Sequence, residues 1–175
     1  MRFAVEKNFS TPDAAHHGGC GCWGGFVSVD AANARPGKLH LDAERPTIVS
    51  REEWGARSPN HEAPNELGFA ASATESAWYI YPDDLAAAYS TVAIHHSAAS
   101  LASNEMMRGI QGEHMDLNEW ADIAYHFAID NAGVIYEGRD IGSRGASVAG
   151  HNTGTIGVVV MGNFEQERPL DVQLA

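Results

Sequence analysis

A chain of 175 residues with 44% hydrophobic and 9% aromatic residues has enough apolar material for one globular domain, and this composition excludes a disordered chain. Its formal net charge is −12, and Lys7 and Lys38 are its only lysines. A nucleic-acid or anionic-membrane partner is therefore not expected, because no basic patch is present to release counterions. No apolar run has the length of a membrane span, and no signal-peptide core is visible at the N-terminus.

Residues 1–46 are predicted to form a glycine-rich, poorly structured leader or linker. The stretch 16–25 reads HHGGCGCWGG and shows no hydrophobic period. Two histidines with Cys20 and Cys22 could be imagined as a metal site, but their spacing is not that of a standard zinc module. The two cysteines are also too close in sequence for a disulfide between them to cross-link distant parts of the fold, so they do not indicate the redox compartment. Glycine-rich composition favours the flexible linker.

Residues 47–175 are predicted to form the ordered domain. Ser50 is followed three residues later by Glu53, the pattern of a capping box, so a short helical turn is expected to start there. Trp54 then supplies a large apolar side chain for the core. A long loop is predicted over 58–78, and a short alanine-rich helix is predicted over 85–89.

The segment 91–97, TVAIHHS, is predicted to be a buried strand because it is rich in β-branched and small apolar residues. Alternation along a strand places Val92, Ile94 and His96 on one face. His96 is therefore expected to be a core or supporting histidine. His95 lies on the opposite face with small polar residues, where a metal or a substrate could bind.

Further elements follow this strand. Ser103, Asn104 and Glu105 can cap a helix whose methionine and isoleucine residues share one face. The runs 124–130 and 134–138, separated by a glycine-containing turn, indicate a β-hairpin. The apolar strand 155–161 is expected to be buried on both faces. Strands with helices between them predict an α/β (α+β) fold, a mixed sheet flanked by helices.

Five motifs along residues 47–175 resemble, in order and approximate spacing, those of the peptidoglycan recognition protein domain, the type 2 N-acetylmuramoyl-L-alanine amidase family. They are IVSREEWGAR at 48–57, AIHHSA at 93–98, ADIAYHFAID at 121–130, GVIYEGRD at 133–140 and GHNTGTIGVVVMGNF at 150–164. Any one of these motifs alone would be a weak indication, whereas five in order are specific. The resemblance implies a zinc amidase that hydrolyses the bond between N-acetylmuramic acid and the L-alanine of the stem peptide.

The resemblance also implies roles for individual residues. His95 matches a zinc ligand of the family, and Tyr125 matches the tyrosine that points at the zinc-bound water and the scissile carbonyl. The tyrosine hydroxyl there can hydrogen-bond a developing oxyanion, while zinc supplies a hydroxide and polarises the carbonyl. Apart from the resemblance, Arg139 and Arg144 could pair with stem-peptide carboxylates, which would suit an otherwise acidic protein. The candidates for substrate contact in the groove are His151, Asn152, Arg144 and His96.

Two departures from the family pattern affect these expectations. Ser147 stands where relatives usually have a histidine that lines the groove, which is expected to alter substrate contacts. The two further zinc ligands of the family come from a segment after the last strand, and the printed sequence stops at Ala175 without them. The zinc site is therefore expected to be incomplete. The domain is expected to lack its C-terminal helix and strand, which would leave an exposed apolar patch on the sheet.

Neither remaining histidine candidate is expected to complete the site. His126 is predicted to point away from the face on which Tyr125 lies, and His151 is more typical of a groove residue.

Three functions stay open: amidase activity in the complete protein, a non-catalytic peptidoglycan-binding module, and an inactive remnant. The family implies an extracellular or cell-envelope location, and the GHNTGTIG wording favours a bacterial type.

Overall fold

The computed structural model describes residues 27–30, 45–64, 78–98, 104–148 and 150–175. The HHGGCGCWGG stretch, most of the predicted loop over 58–78 and the predicted cap residue Ser103 lie outside these residues. In the described part of the chain, no helix combines the length and the apolar character that crossing a membrane requires.

A six-stranded mixed sheet has the order β1-β3-β6-β4-β5-β2. Its strands are β1 Val27–Asp30, β2 Ile48–Val49, β3 Thr91–His96, β4 Phe127–Ile129, β5 Ile135–Glu137 and β6 Thr155–Val160. Strands β3, β6 and β4 are parallel neighbours, whereas β1 on β3 and β5 on β4 are antiparallel. The predicted mixed sheet and the β4–β5 hairpin are therefore confirmed. Because three central strands run the same way, their C-terminal ends lie at one edge of the sheet.

Short helices connect the strands, and they lie where the sequence predicts them. They are α1 Arg51–Trp54, α2 Leu85–Ala88 and α3 Asn104–Gly112, which continues as a π-helical turn over Glu113–Leu117. Helix α1 begins with the predicted capping box, since the Glu53 carboxylate accepts a hydrogen bond from the Ser50 N–H at 2.7 Å. Gly55 ends the helix in the left-handed conformation with φ 76°. A 3₁₀ turn, Asp171–Gln173, follows β6.

The core lies on one face of the sheet. Trp54 of α1 and Met107 of α3 are fully buried there against Ala128 and Val159 of the sheet. The Trp54 indole N–H also donates to the Glu137 carbonyl at 2.7 Å, so this large side chain leaves no polar group unpaired. The expectation that Trp54 anchors the core is confirmed.

The opposite face of the sheet is open among the described residues. Val92 is 37% exposed and Ile94 is 43% exposed, although both lie in a central strand. The prediction that this aliphatic side of β3 faces the core is wrong, and so is the prediction that β6 is buried on both faces, since Ile156 and Val158 are only half-buried. The physical reason is that α1 and α3 pack on the other side. The predicted exposed apolar patch is present on these strands.

Four residues of the predicted leader belong to the sheet. Val27–Asp30 pairs antiparallel with β3, in a register that sets Val27 opposite Ile94 and Asp30 opposite Thr91. The run VSVD alternates apolar and polar residues, which is the pattern of a half-buried strand, although the glycine-rich composition before it favoured a linker. Pairing with β3 supplies the backbone hydrogen bonds of this short strand.

Two histidines are built into the core as neutral imidazoles. The His126 Nδ1 accepts a hydrogen bond from the Gly157 N–H at 2.9 Å, and its Nε2 lies 3.0 Å from the Ser143 carbonyl oxygen. The His114 Nδ1 accepts from the Ala124 N–H at 3.1 Å. Burial lowers the pKa of His114 to about 3 and the pKa of His126 to about 4.

These two pKa values predict that the fold loses stability in mild acid. An unfolded histidine titrates near pH 6.5, so the stabilisation is complete above that pH and falls as the pH drops towards 4. Each histidine should remove about 1.4 kcal/mol from the free energy of unfolding per pH unit in this window. Arg139 lies near both rings and disfavours their protonation, and Asp140 opposes this effect at His126.

Urea unfolding between pH 7 and pH 5 measures this dependence. His126→Asn should reduce its slope by about one proton. A free energy of unfolding that is constant over this range would contradict the prediction.

Two glycines form a matched pair for a packing test. A Cβ at Gly138 would overlap the Tyr125 carbonyl oxygen and approach the carbonyl carbons of Tyr125 and His126 to 3.2 and 3.3 Å, whereas a Cβ at Gly109 in α3 would meet nothing within 4 Å. We expect Gly138→Ala to lower the free energy of unfolding by about 1–3 kcal/mol. Gly109→Ala should raise it by about 0.5–1 kcal/mol. Chemical denaturation of both variants checks this, and equal effects would refute it.

Candidate functional site

His95 and Tyr125 come together on the core side of the sheet. Their ring centroids are 5.3 Å apart, with an angle of 54° between the ring planes. His95 lies opposite Val159 near the C-terminal end of β3, and Tyr125 lies just before β4. The tyrosine side chain is largely buried. The structure thus brings together the two residues for which the sequence predicted the central roles.

Ser147 joins these residues because Gly157 of β6 has no side chain. A Cβ at Gly157 would overlap the Ser147 Oγ and lie 3.7 Å from the Tyr125 Cα. The missing side chain therefore leaves the space into which the Ser147 hydroxyl points beside Tyr125. Ser147, which is half-buried, therefore lies near the backbone of Tyr125, at the position where the sequence departs from the family pattern.

Among the described residues, one ring nitrogen of His95 has no hydrogen-bond partner. The Nε2 of His95 is buried and unpaired, although the residue as a whole is only half-buried. Burial lowers the pKa of His95, and the neighbouring His96 lowers it further. The ring is therefore neutral at pH 7 and its nitrogen can accept or donate a single hydrogen bond. A buried polar atom left unpaired costs free energy, so this nitrogen is suited to a ligand.

The described residues do not supply a complete zinc site. Within residues 45–64, 78–98, 104–148 and 150–175, no three His, Cys, Asp or Glu side chains are grouped so that they could hold a metal ion. A catalytic zinc ion needs three protein ligands. His95 offers one nitrogen of the required kind, and the rest of the described chain does not complete the set.

Arg139 is not a surface cation as the sequence suggested. It is 1% exposed, and its guanidinium donates to the carbonyl oxygens of Ile123 at 2.8 Å, Arg144 at 3.0 Å and Asp122 at 3.2 Å. The indole of Trp78 lies 5.1 Å from it. The expectation that Arg139 pairs with a stem-peptide carboxylate is therefore wrong, because its donors are turned into the protein.

The other predicted groove residues have different surroundings. Arg144 is also buried, with its guanidinium 5.7 Å from the ring of Tyr79. Asn152 is buried, and its Oδ1 accepts from the Val148 N–H at 2.8 Å, which fixes the loop before β6. His151 is exposed in the same loop. Its position at the surface suits a ligand contact, whereas Asn152 has a loop-fixing role.

His96 does not meet His95 and Tyr125. It belongs to the open side of β3, where its Nδ1 accepts from the Phe164 N–H at 3.3 Å and its ring stacks on the Phe164 ring at 6.0 Å. The alternation of the strand separates the two neighbouring histidines, as predicted. The expected core environment of His96 is wrong, because its face of the sheet is the open one.

The sequence did not identify His114 as a residue packed on Tyr125, nor Asp122 as a buried carboxylate close to Tyr125 in the chain. The His114 ring lies 5.7 Å from the Tyr125 ring and 4.8 Å from the Trp120 ring, so it packs behind the tyrosine. The buried carboxylate of Asp122 accepts from Gln111 Nε2 at 2.7 Å, and its second oxygen lies 2.9 Å from Arg51 Nη2, a distance typical of an ion pair although hydrogen-bond geometry is lacking. Helical spacing could have indicated His114, but nothing local indicated Asp122.

Comparisons of the sequence and of the structure both find known proteins that are similar to this chain. The pattern of the N-acetylmuramoyl-L-alanine amidase family matches residues 86–175. Peptidoglycan-recognition protein SC2 of Drosophila simulans is 34% identical over 133 residues, which are 73% of this chain and 61% of that protein. The chain thus spans about three fifths of the length of this curated relative.

Solved structures with this fold are similar over most of the chain. Drosophila peptidoglycan recognition protein SD has a TM-score of 0.56 and 29% identity, covering 74% of this chain and 69% of that one. A point mutant of Drosophila PGRP-LB, solved in complex with tracheal cytotoxin, has a TM-score of 0.56 and 28% identity, covering 73% of this chain and 67% of that one.

Proposed function

The chain belongs to the family of peptidoglycan recognition proteins and N-acetylmuramoyl-L-alanine amidases, and we propose that its His95–Tyr125 site binds muramyl peptides of peptidoglycan. The observation that carries this proposal is the buried Nε2 of His95, which has no hydrogen-bond partner among the described residues and belongs to a ring 5.3 Å from the Tyr125 ring. A ligand that brings a polar group to this nitrogen would remove the cost of leaving it unpaired.

The chemistry of a muramyl peptide matches the residues around this nitrogen. Such a ligand carries amide and hydroxyl groups beside the apolar faces of a sugar ring and small aliphatic side chains. Tyr125 offers an aromatic face and Ser147 a hydroxyl, and His151 is exposed in the loop before β6. Apolar walls with a few fixed polar groups are typical of small-ligand sites. Similarity to PGRP-LB, solved with tracheal cytotoxin, supports the same ligand class.

A second candidate function is zinc-dependent hydrolysis of the N-acetylmuramoyl-L-alanine amide bond. Family membership and the free nitrogen of His95 favour it. His95 would be one ligand of the zinc ion, and two further ligands would have to come from outside the described residues. Recognition requires no such addition, so it is the function that the geometry supports best. Peptidoglycan as ligand places the protein outside the cytoplasm or at the cell envelope.

The recognition proposal predicts different effects at the two adjacent histidines. We expect His95→Ala to weaken binding of tracheal cytotoxin about tenfold, since one buried hydrogen bond of roughly 1.4 kcal/mol is lost. His96→Ala is the matched control, because His96 lies on the open side of the same strand, and its affinity should equal that of the wild type. Isothermal titration calorimetry measures both affinities. Equal losses in the two variants, or no binding by the wild type, would refute the proposal.

Metal chelation separates the two candidate functions. Recognition through the described residues predicts that EDTA leaves the affinity for tracheal cytotoxin within about twofold, since no metal takes part. Hydrolysis predicts zinc-dependent release of stem peptide from a muramyl peptide, lost in His95→Ala. Both quantities are measured on the same preparation by calorimetry and by chromatography of the products. Stem-peptide release that EDTA abolishes would establish the second candidate in place of the first.

A further inference from the structure

The buried guanidinium of Arg139 joins two segments that are far apart in the sequence. Its Nε and Nη2 donate to the carbonyl oxygens of Ile123 and Asp122, in the segment that leads to Tyr125. Its Nη1 donates to the carbonyl oxygen of Arg144, in the segment that leads to Ser147. One side chain therefore connects the backbone on both sides of the candidate site.

Backbone hydrogen bonds continue this connection up to the site itself. The Arg139 N–H donates to the Tyr125 carbonyl at 2.7 Å, and the Ala146 N–H donates to the Ala124 carbonyl at 3.0 Å. Tyr125 is thus held in two ways. Its own carbonyl accepts from the Arg139 N–H, and the Arg139 guanidinium binds the carbonyl oxygens of Asp122 and Ile123, which precede Tyr125 in the chain. The same guanidinium binds the segment that leads to Ser147, through the carbonyl oxygen of Arg144.

Only a guanidinium can make this set of contacts. Arginine presents five N–H donors in a fixed planar fork, whereas lysine presents one compact ammonium on a flexible chain. The three carbonyl oxygens converge on three different nitrogens of Arg139, a pattern that one ammonium cannot reproduce. The Trp78 indole over the guanidinium provides a further favourable contact for the buried cation.

We propose that Arg139 is a positioning residue, whose guanidinium holds the Tyr125 and Ser147 segments at the separation that lets the Tyr125 ring face His95. Arg139 acts through Tyr125 and does not touch the ligand. The consequence for ligand affinity rests on the proposed function, whereas the consequence for the His95–Tyr125 ring contact does not.

The ring contact is tested first, without any ligand. In the wild type, NMR should show ring-to-ring nuclear Overhauser effects between His95 and Tyr125, whose centroids are 5.3 Å apart. Arg139→Lys and Arg139→Gln should lose them while circular dichroism still shows a folded sheet. Arg108→Lys is the matched control, because that guanidinium donates to the Trp54 carbonyl, away from both segments, and it should retain them.

Retained ring contacts in both Arg139 variants would overturn the proposal. So would the failure of both variants to fold while Arg108→Lys folds, since Arg139 would then support the whole fold and not the site. This measurement stands even where the wild type binds no muramyl peptide, so the failure of the proposed function and the failure of the positioning role are distinguishable.

A double-mutant cycle with Tyr125→Ala, which removes the ring, tests the route of the effect. Arg139→Lys should weaken tracheal cytotoxin binding about tenfold in the wild-type background but less than about threefold in the Tyr125→Ala background, because residues that act as a unit are not additive. Arg108→Lys should leave the affinity unchanged in both. An equal tenfold loss in both backgrounds, or no loss in either, would contradict an action of Arg139 through Tyr125.

Discussion

The parallel register of the three central strands is the constraint on which the site depends. Pairing sets His95 opposite Val159 of β6, and Val159 opposite Ala128 of β4. This row fixes the face to which the His95 ring belongs, and a slip of one residue would turn the ring to the open side. Gly157, two residues before Val159 on β6, then admits the Ser147 hydroxyl beside Tyr125. The site is thus a consequence of strand register combined with one missing side chain.

The sequence predicted the separation of His95 and His96 because side-chain alternation is a local property of any strand. It could not predict which side of β3 is covered. Val92 and Ile94 have the composition of core residues, yet they face the open side, because the position of a core depends on where helices pack. The capping box at Ser50 and the β4–β5 hairpin were predictable for the opposite reason, since a few adjacent residues determine each of them.

Arg139 shows a similar limit of prediction from sequence, in this case for a charged residue. From the sequence alone, Arg139 is a positive charge that is expected to pair with an anion, and a ligand carboxylate is one such anion. The structure instead satisfies its donors with three backbone carbonyl oxygens, from one segment before Arg139 and one after it. Side-chain identities do not encode these acceptors, because every residue has a backbone carbonyl. Its role was therefore accessible only when the chain segments around Tyr125 and Ser147 had been placed in space.

Recognition and hydrolysis make nearly the same demands on the described residues. Both need a neutral His95 whose free nitrogen points at the ligand, and both need Tyr125 held against it. They differ in what the His95 nitrogen meets, a polar group of the ligand in one case and a metal ion in the other. The metal requires two more ligands, which the described residues do not provide, whereas the ligand requires only a group that pairs with one nitrogen. Recognition is therefore the proposed function that requires no group from outside the described residues.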